Sequence, residues 1–161
     1  MTLSSDLIKA AILFPLNVMG SIPVMILWFT GKFKSYQFDL VSAVSGGGLV
    51  LFGLYICWVA ISLFTSYGQG TPAPWAPPKI LVTIGIYRYV RNPMMLGVWC
   101  VLLGEAIFFL SIVLSLWFLT FVVVSLLIIR LWEEVDLEKR FGKSYLYYKN
   151  QVPRWVPRIK L

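Results

Sequence analysis

Residues 95–132 read MLGVWCVLLGEAIFFLSIVLSLWFLTFVVVSLLIIRLW, with Glu105 and Arg130 as the only charged side chains. As one continuous helix, this stretch would be about 57 Å long at about 1.5 Å per residue. The hydrocarbon core of a bilayer is only about 30 Å thick, so one straight helix does not fit. The stretch therefore predicts a hairpin of two membrane-spanning helices, with its turn near Leu110–Ser115.

Two earlier runs of sequence are also long enough to cross a membrane. Residues 10–31 and residues 40–78 contain no charged side chain. The first run predicts a helix over about 8–29 and the second a helix over about 41–66, because the prolines of residues 71–78 are incompatible with a helix. The expected fold class is an all-α integral membrane protein with about four transmembrane helices, the last two forming a helical hairpin.

The composition favours a membrane over other partners. Of the 161 residues, 59% are hydrophobic and 13% are charged, whereas ordinary soluble domains are roughly 25% charged. A soluble domain of this length cannot bury so much apolar surface in one core. The net charge of +7 indicates a membrane partner rather than nucleic acid, because most basic residues adjoin apolar runs. The chain has no histidine, so we expect no histidine-based metal site and no Ser-His-Asp triad.

The distribution of basic residues predicts the orientation of the four spans. Twelve of the fourteen Lys and Arg residues would lie on one face of the membrane, with only Lys32 and Lys34 on the other. Basic residues concentrate on the cytoplasmic side, so both termini and the polar face are expected to be cytoplasmic. The N-terminus lacks a basic region and a small-residue cleavage site, so the first helix is interpreted as retained.

Nearly all remaining charge falls in two segments, residues 67–94 and residues 130–161. We expect a functional site where these segments meet. In the first segment, Pro93 suits the first turn of the third span, with the preceding asparagine as its N-cap. Arg88 and Arg91 beside this helix N-terminus suit either a carboxylate or phosphate ligand or the headgroups of lipids.

The second segment predicts that the fourth span continues into the cytoplasm as an amphipathic helix. Gly142 is expected to break this helix before a short tyrosine-rich helix that ends at Pro153. Glu133 and Glu134 lie at the predicted membrane boundary, one turn from Arg130. Carboxylates at such a boundary are costly unless they are paired or used in chemistry.

Two features of the apolar body also need an explanation. Glu105 is an acid within the third span, where it either bonds to polar groups of neighbouring helices or lines a substrate pocket. The triplet Gly46-Gly47-Gly48 lies near the start of the second helix. We interpret it as a site of close helix packing, since neither the strand nor the helix that flanks a phosphate-binding loop is present.

The residues of the two polar segments resemble a known family in order and spacing. The segments read Gly68-x-Gly70-Thr71-Pro72-x-Pro74, then Leu81-Val82-x-x-Gly85-x-Tyr87-Arg88-x-x-Arg91-Asn92-Pro93-x-x-x-Gly97, and finally Glu133-Glu134-x-x-Leu137-x-x-x-Phe141-Gly142-x-x-Tyr145-x-x-Tyr148-x-x-x-Val152-Pro153-Arg154-Trp155-x-Pro157. This pattern resembles the isoprenylcysteine carboxyl methyltransferase family, whose broader group includes phospholipid N-methyltransferases. The resemblance covers roughly residues 68–158.

The resemblance implies a single membrane methyltransferase domain over 1–161, with an N-terminal two-helix hairpin (1–66) and a cofactor-binding and catalytic region (67–161). It implies S-adenosylmethionine as cofactor, bound at the cytoplasmic face, and a lipid-like acceptor that arrives from the bilayer. The expected catalytic residues are Arg130, Glu133 and Glu134, and the expected substrate-binding residues are Glu105, Arg130 and Glu133. The expected cofactor-binding residues are Lys79, Ile80, Leu81, Val82, Tyr87, Arg88, Arg91, Asn92, Pro93, Met94 and Met95.

The acceptor and the reaction class both stay open at this point. The family usually has His in place of Asn92 and Tyr in place of Met95, which leaves both an isoprenylcysteine-type carboxylate and a phospholipid or other lipid amine as acceptors. A carboxylate is already ionised at neutral pH and needs no base. An amine would need a base, for which Glu133, Glu134 or Tyr87 is available. A NADPH-dependent membrane reductase of related fold and a non-catalytic membrane subunit or transporter are the competing functional classes.

Overall fold

The computed structural model describes residues 12–70 and 77–156, and all regular structure in these ranges is helical. The predicted all-α class is therefore confirmed for the described residues, while most of the predicted proline-rich loop and the start of the predicted first helix lie outside them. The elements in chain order are a π-helical segment (Ile12–Ser21), α1 (Ile22–Phe29), a single turn (Lys32–Ser35), α2 (Leu40–Tyr67), a 3-10 turn (Gly85–Arg88), α3 (Pro93–Phe108), α4 (Ile112–Ile128), a second π-helical segment (Ile129–Glu133), α5 (Glu134–Phe141) and α6 (Lys143–Gln151).

Two of the helices are long and apolar enough to cross a membrane, namely Leu40–Tyr67 and the continuous helix Ile112–Phe141. Two shorter apolar helices, Asn17–Phe29 and Pro93–Phe108, pack beside them. Large apolar side chains cover the outside of these helices, and Phe29, for example, is 80% exposed. Such an extensive apolar surface is stable in lipid rather than in water, so the chain is a membrane protein.

Residues 95–132 form a helical hairpin, as predicted. The helix α3 ends at Phe108, α4 begins at Ile112, and Leu110 between them has a positive φ of 45°. Ser111 caps α4, since its hydroxyl accepts a hydrogen bond from a backbone N–H in the first turn at 3.4 Å. The turn therefore lies at the N-terminal edge of the predicted window, where the chain offers a capping residue.

The helices α2 and α3 pack antiparallel at very close range. Glycines spaced by seven residues on each helix meet in pairs, Gly46 with Gly104 and Gly53 with Gly97. A Cβ atom on Gly46 would lie only 2.5 Å from a backbone nitrogen of α3. The predicted close packing is thus confirmed at Gly46, whereas Gly48 meets nothing within 4 Å. This contact determines where the N-terminal end of α3 lies against α2.

The polar end of the bundle follows the predicted pattern with one correction. The fourth apolar helix continues through Ile129–Glu133 into α5, and Gly142, with a φ of 52°, separates α5 from α6. The helix α6 ends two residues before Pro153, as predicted. Pro93 does occupy the first turn of α3, but the side chain of Asn92 makes no capping hydrogen bond. The predicted cap is therefore wrong in its side-chain contact, although the position is correct.

Candidate functional site

The two polar segments come together at one end of the bundle. The hydroxyl of Tyr148 in α6 donates a hydrogen bond of 2.7 Å to the backbone oxygen of Tyr87. The backbone N–H of Arg91 donates to the carbonyl oxygen of Pro153 at 3.0 Å. Leu81 packs on the apolar cluster formed by the tyrosines of α6 and their neighbours. The loop before α3 and the C-terminal residues therefore form a single polar face.

An open groove of about 1080 Å³ lies between these segments. Lys79, Ile80, Leu81 and Arg88, four of the predicted cofactor-binding residues, line it from the loop. Side chains of α6 and of the residues on either side of it, including Tyr147, line it from the other segment. Cationic side chains and, in part, apolar and aromatic side chains therefore line the groove. This lining suits a zwitterionic ligand with a flat ring.

Tyr87 lies deeper than the groove residues. It is only 4% exposed, and its ring packs edge-on against Phe64 of α2 with centroids 5.2 Å apart. Burial raises the pKa of Tyr87 well above the usual value for tyrosine, and Tyr148 and Glu133 nearby raise it further. Its hydroxyl is therefore a protonated, buried donor, yet it has no hydrogen-bond partner among the described residues. Unpaired buried donors are rare and mark places where a ligand or a water molecule binds.

Glu134 is the centre of a buried ion-pair cluster. Its side chain is 5% exposed, and the Arg154 guanidinium donates to both of its oxygens at 2.7 Å. Arg91 donates to Oε1 at 2.7 Å, and Lys149 Nζ lies 3.6 Å from Oε2. A carboxylate held by a bidentate arginine and by a second arginine has little capacity left for a further ligand.

Glu133 and Arg130 differ from Glu134 in their surroundings. Both are exposed, and neither makes an ion pair with another described residue. Successive residues of a helix point about 100° apart, which is why adjacent glutamates have such different environments. Glu133 acts electrostatically on the Tyr87 hydroxyl. Glu133 and Arg130 therefore remain available for an acceptor at the boundary of the apolar body.

The structure separates the other predicted cofactor-binding residues from the groove. Val82 and Pro93 are buried, and Met94 and Met95 pack against the hydrophobic core between α2, α3 and α4. Asn92 is half-buried and, like these four residues, is not part of the groove lining. Asn92, Pro93, Met94 and Met95 lie at the N-terminal end of α3 instead. Val82 packs against α2.

Glu105 is not brought to the polar face. It lies twelve residues after Pro93 in α3, a distance of about 18 Å along a helix. It is half-buried, and its Oε2 has no hydrogen-bond partner among the described residues. Among the residues that the structure describes, neither of the two roles predicted for Glu105 is therefore visible as a contact.

Three residues that the sequence interpretation left without a role contribute to this face. Arg154 holds Glu134, Tyr148 binds the backbone at Tyr87, and Trp155 stacks on Trp99 of α3 with centroids 4.4 Å apart. All three lie within the quoted motif of residues 133–157, and membership of that motif was the signal from which a role for them could have been predicted. Among the residues described, no group of three or more cysteine or acidic side chains is placed to hold a metal ion.

Comparisons with known proteins agree on one family. The profile of the phospholipid methyltransferase family matches residues 41–144. The chain is also 37% identical over 139 residues to a protein-S-isoprenylcysteine O-methyltransferase of Schizosaccharomyces pombe, in a match that covers 80% of this chain and 56% of that protein. The chain therefore spans about half the length of the curated relative. No solved structure matches it significantly.

Proposed function

Because this chain belongs to the phospholipid methyltransferase family, we propose that it transfers a methyl group from S-adenosylmethionine to a lipid-like acceptor in the membrane. The observation that carries this proposal is the open, cation-edged groove between the two polar segments, with the unpartnered hydroxyl of buried Tyr87 as additional support. The groove lies on the face where the two polar segments meet, and Tyr87 is buried beneath that face against Phe64 of α2. An isoprenylcysteine-type carboxylate is the favoured acceptor, since the relative from S. pombe is named for that chemistry.

The residues of this face fit a methyl donor of this type. The groove of about 1080 Å³ is at the upper end of the roughly 300–1,000 Å³ typical of small-molecule sites. Lys79 and Arg88 supply positive charge for the amino-acid carboxylate, and Tyr147 supplies a flat surface for the adenine ring. Tyr87 supplies a protonated hydroxyl that lacks an acceptor. When bound, S-adenosylmethionine supplies an electrophilic methyl group on a sulfonium.

Arg130 and Glu133 are assigned to the acceptor because they are exposed and unpaired at the edge of the apolar body. A carboxylate acceptor is held by the Arg130 guanidinium and needs no proton removed. Transfer to an anion cancels charge, so a site that excludes water favours it. For an amine acceptor, the Glu133 carboxylate is placed to take the proton.

We further propose that the chain has four spans, namely the one predicted over about 8–29 followed by α2, α3 and α4, with both termini and the groove on the cytoplasmic side. The support is the bias of twelve basic residues against two and the packing of the two shorter apolar helices beside the two long ones. Single-cysteine variants at Lys32 and at Lys79, made in a chain whose Cys57 and Cys100 are serine, test the orientation. An impermeant maleimide should label the Lys32 position in intact cells and the Lys79 position only after permeabilisation.

Calorimetry on the purified protein in detergent separates the three functional classes. We expect heat from S-adenosylmethionine and none from NADPH, whereas a reductase would give the opposite result and a non-catalytic subunit neither. Folded protein that binds no S-adenosylmethionine would contradict the proposal.

The acceptor is identified with a donor carrying a labelled methyl group and two acceptors, a farnesylated cysteine derivative and phosphatidylethanolamine. A methyl ester releases its label as methanol in alkali, but an N-methyl group does not. Alkali-stable label on the phospholipid alone would favour an amine acceptor over a carboxylate.

A further inference from the structure

Three segments that are distant in sequence converge on the carboxylate of Glu134. Arg91 lies 43 residues before it, and Arg154 lies 20 residues after it. We propose that Glu134 is a positioning residue, which fastens α6 and the residues after it onto the loop before α3 and so holds the two walls of the groove together. The proposal rests on the proposed function only in assigning a methyl donor to that groove.

The contacts of Glu134 leave it little room for direct chemistry. Its Oε1 accepts from Arg91 and Arg154, and its Oε2 accepts from Arg154 and faces Lys149. An acceptor that bound this carboxylate would displace one of these cations. Arg91 is only 9% exposed, and without Glu134 its buried guanidinium would keep a hydrogen bond to the Tyr145 hydroxyl but would have no opposite charge, which is strongly unfavourable.

The segment that Glu134 fastens contributes most of one wall of the groove. Residues 152–156, the strap, are held by Arg154 on Glu134, by the Pro153 carbonyl on the backbone of Arg91, and by Trp155 on Trp99. The groove is lined from the loop on one side and from 141–153 on the other. Val152 and Pro153 belong both to the strap and to this wall, so release of the strap opens that end of the groove.

The two adjacent glutamates are consequently assigned different tasks. Glu133 is exposed and makes no ion pair with another described residue. Its charge helps to raise the pKa of the Tyr87 hydroxyl, and these two properties suit a residue at the reacting centre. Glu134 is buried and fully paired, which suits support of the groove. Loss of Glu133 should then affect turnover, and loss of Glu134 should affect donor binding.

Four variants of the full chain test this division: Glu134→Gln, Arg154→Lys, Glu133→Gln and, as a matched control, Asp136→Asn. Within the described ranges, Asp136 pairs with Arg140 alone, on the exposed face of α5 at 3.3 Å. Three quantities are measured in detergent: the Kd of S-adenosylmethionine by calorimetry, the rate of tryptic cleavage after Lys143 and Lys149, and kcat at saturating donor.

We expect Glu134→Gln to weaken donor binding and to speed cleavage by about tenfold, because apparent affinity falls with the fraction of molecules whose groove is complete. The value of kcat at saturating donor should stay within about twofold of the parent, since saturating donor restores the complete groove. Arg154→Lys keeps the charge but loses the bidentate geometry, so it should give a smaller effect in the same direction. Glu133→Gln should reduce kcat alone, and Asp136→Asn should match the parent.

Loss of kcat in Glu134→Gln with unchanged Kd and unchanged cleavage would place Glu134 at the reacting centre and overturn the proposal. If Glu134→Gln does not fold, Arg154→Lys is used to test the proposal in its place. A Kd and a cleavage rate equal to those of the parent in Arg154→Lys would then overturn the proposal. If the parent binds no S-adenosylmethionine, the proposed function fails, whereas the cleavage rates still report whether Glu134 fastens the strap.

Discussion

The close approach of α2 and α3 makes a specific prediction at the glycine triplet. We expect Gly46→Ala to destabilise the protein and Gly48→Ala to leave it as stable or slightly more stable. Both glycines belong to the same helix and lie two residues apart. The two variants therefore add the same methyl group to the same helix, and they differ only in what that group meets.

The magnitude follows from the contacts at each position. A Cβ on Gly46 would lie 2.5 Å from Phe108 N, 2.6 Å from Gly104 O and 2.8 Å from Phe108 Cα. Optimal contact between such atoms is at roughly 3.5–4.0 Å, and backbone atoms have no alternative rotamer. The helices must separate by about 1 Å, and overpacking of this kind costs about 1–3 kcal/mol. The gain in helix propensity from Gly to Ala offsets about 1 kcal/mol of this.

The expected net loss for Gly46→Ala is therefore about 0–2 kcal/mol, and this variant should be less stable than Gly48→Ala by the full overpacking cost of about 1–3 kcal/mol. At Gly48 no atom lies within 4 Å, so only the propensity gain of up to about 1 kcal/mol remains. Thermal unfolding in a mild detergent, followed by tryptophan fluorescence, measures the difference. A change of 1 kcal/mol corresponds to roughly 2–4 °C in Tm for a chain of this size.

A second readout reports on the interface directly. Cys57 lies in the contact between α2 and α3, 7% exposed, with its Sγ 3.5 Å from the carbonyl oxygen of Met94. In a Cys100→Ser background, Gly46→Ala should speed maleimide labelling of Cys57, and Gly48→Ala should not. Equal Tm values and equal labelling rates in the two variants would refute the close-packing argument.

Three further predictions concern the polar face. Glu133→Gln should abolish incorporation of labelled methyl while Tm and donor binding stay at parent values, and unchanged activity would make Glu133 only a boundary charge. Tyr87→Phe removes the unpartnered hydroxyl, so the unliganded protein should be at least as stable as the parent. The Kd of S-adenosylmethionine should rise by about five- to tenfold, because one hydrogen bond is lost. An unchanged Kd would mean that this hydroxyl does not bind the donor. Burial raises the pKa of Tyr148, and its hydroxyl donates only when protonated. The stability that it contributes should therefore be complete below the usual tyrosine pKa of about 10 and decline as the pH rises above it. Tyr148→Phe should lower Tm at pH 8 and reduce that alkaline decline, and a decline identical to that of the parent would contradict this assignment.

The helical body was largely predictable because the partition of apolar residues into lipid is a local property. A run of about 20 uncharged residues carries its preference for the bilayer without reference to the rest of the chain. The helix predicted over 41–66 is observed as Leu40–Tyr67, and the predicted hairpin turns beside Leu110. Gly142 also marks a helix break that a local conformational preference predicts.

The roles of individual polar residues were less predictable, because they depend on contacts between distant segments. Lys79 and Val82 belong to one short stretch of sequence, yet the first lines the groove and the second is buried against α2. Tyr87 was expected to contact the cofactor, but the lack of a hydrogen-bond partner for its hydroxyl among the described residues is visible only in three dimensions.

The amino-acid sequence by itself determined the helical membrane body, the two polar segments and the family. The tertiary structure decided which of two adjacent glutamates is buried. Glu133 and Glu134 have the same chemistry and nearly the same position, so nothing local separates them. Arg91 and Arg154, brought from 43 residues before and 20 residues after, stabilise the buried charge of Glu134, because a carboxylate is favourable in such a site only when cations from other segments pair with it.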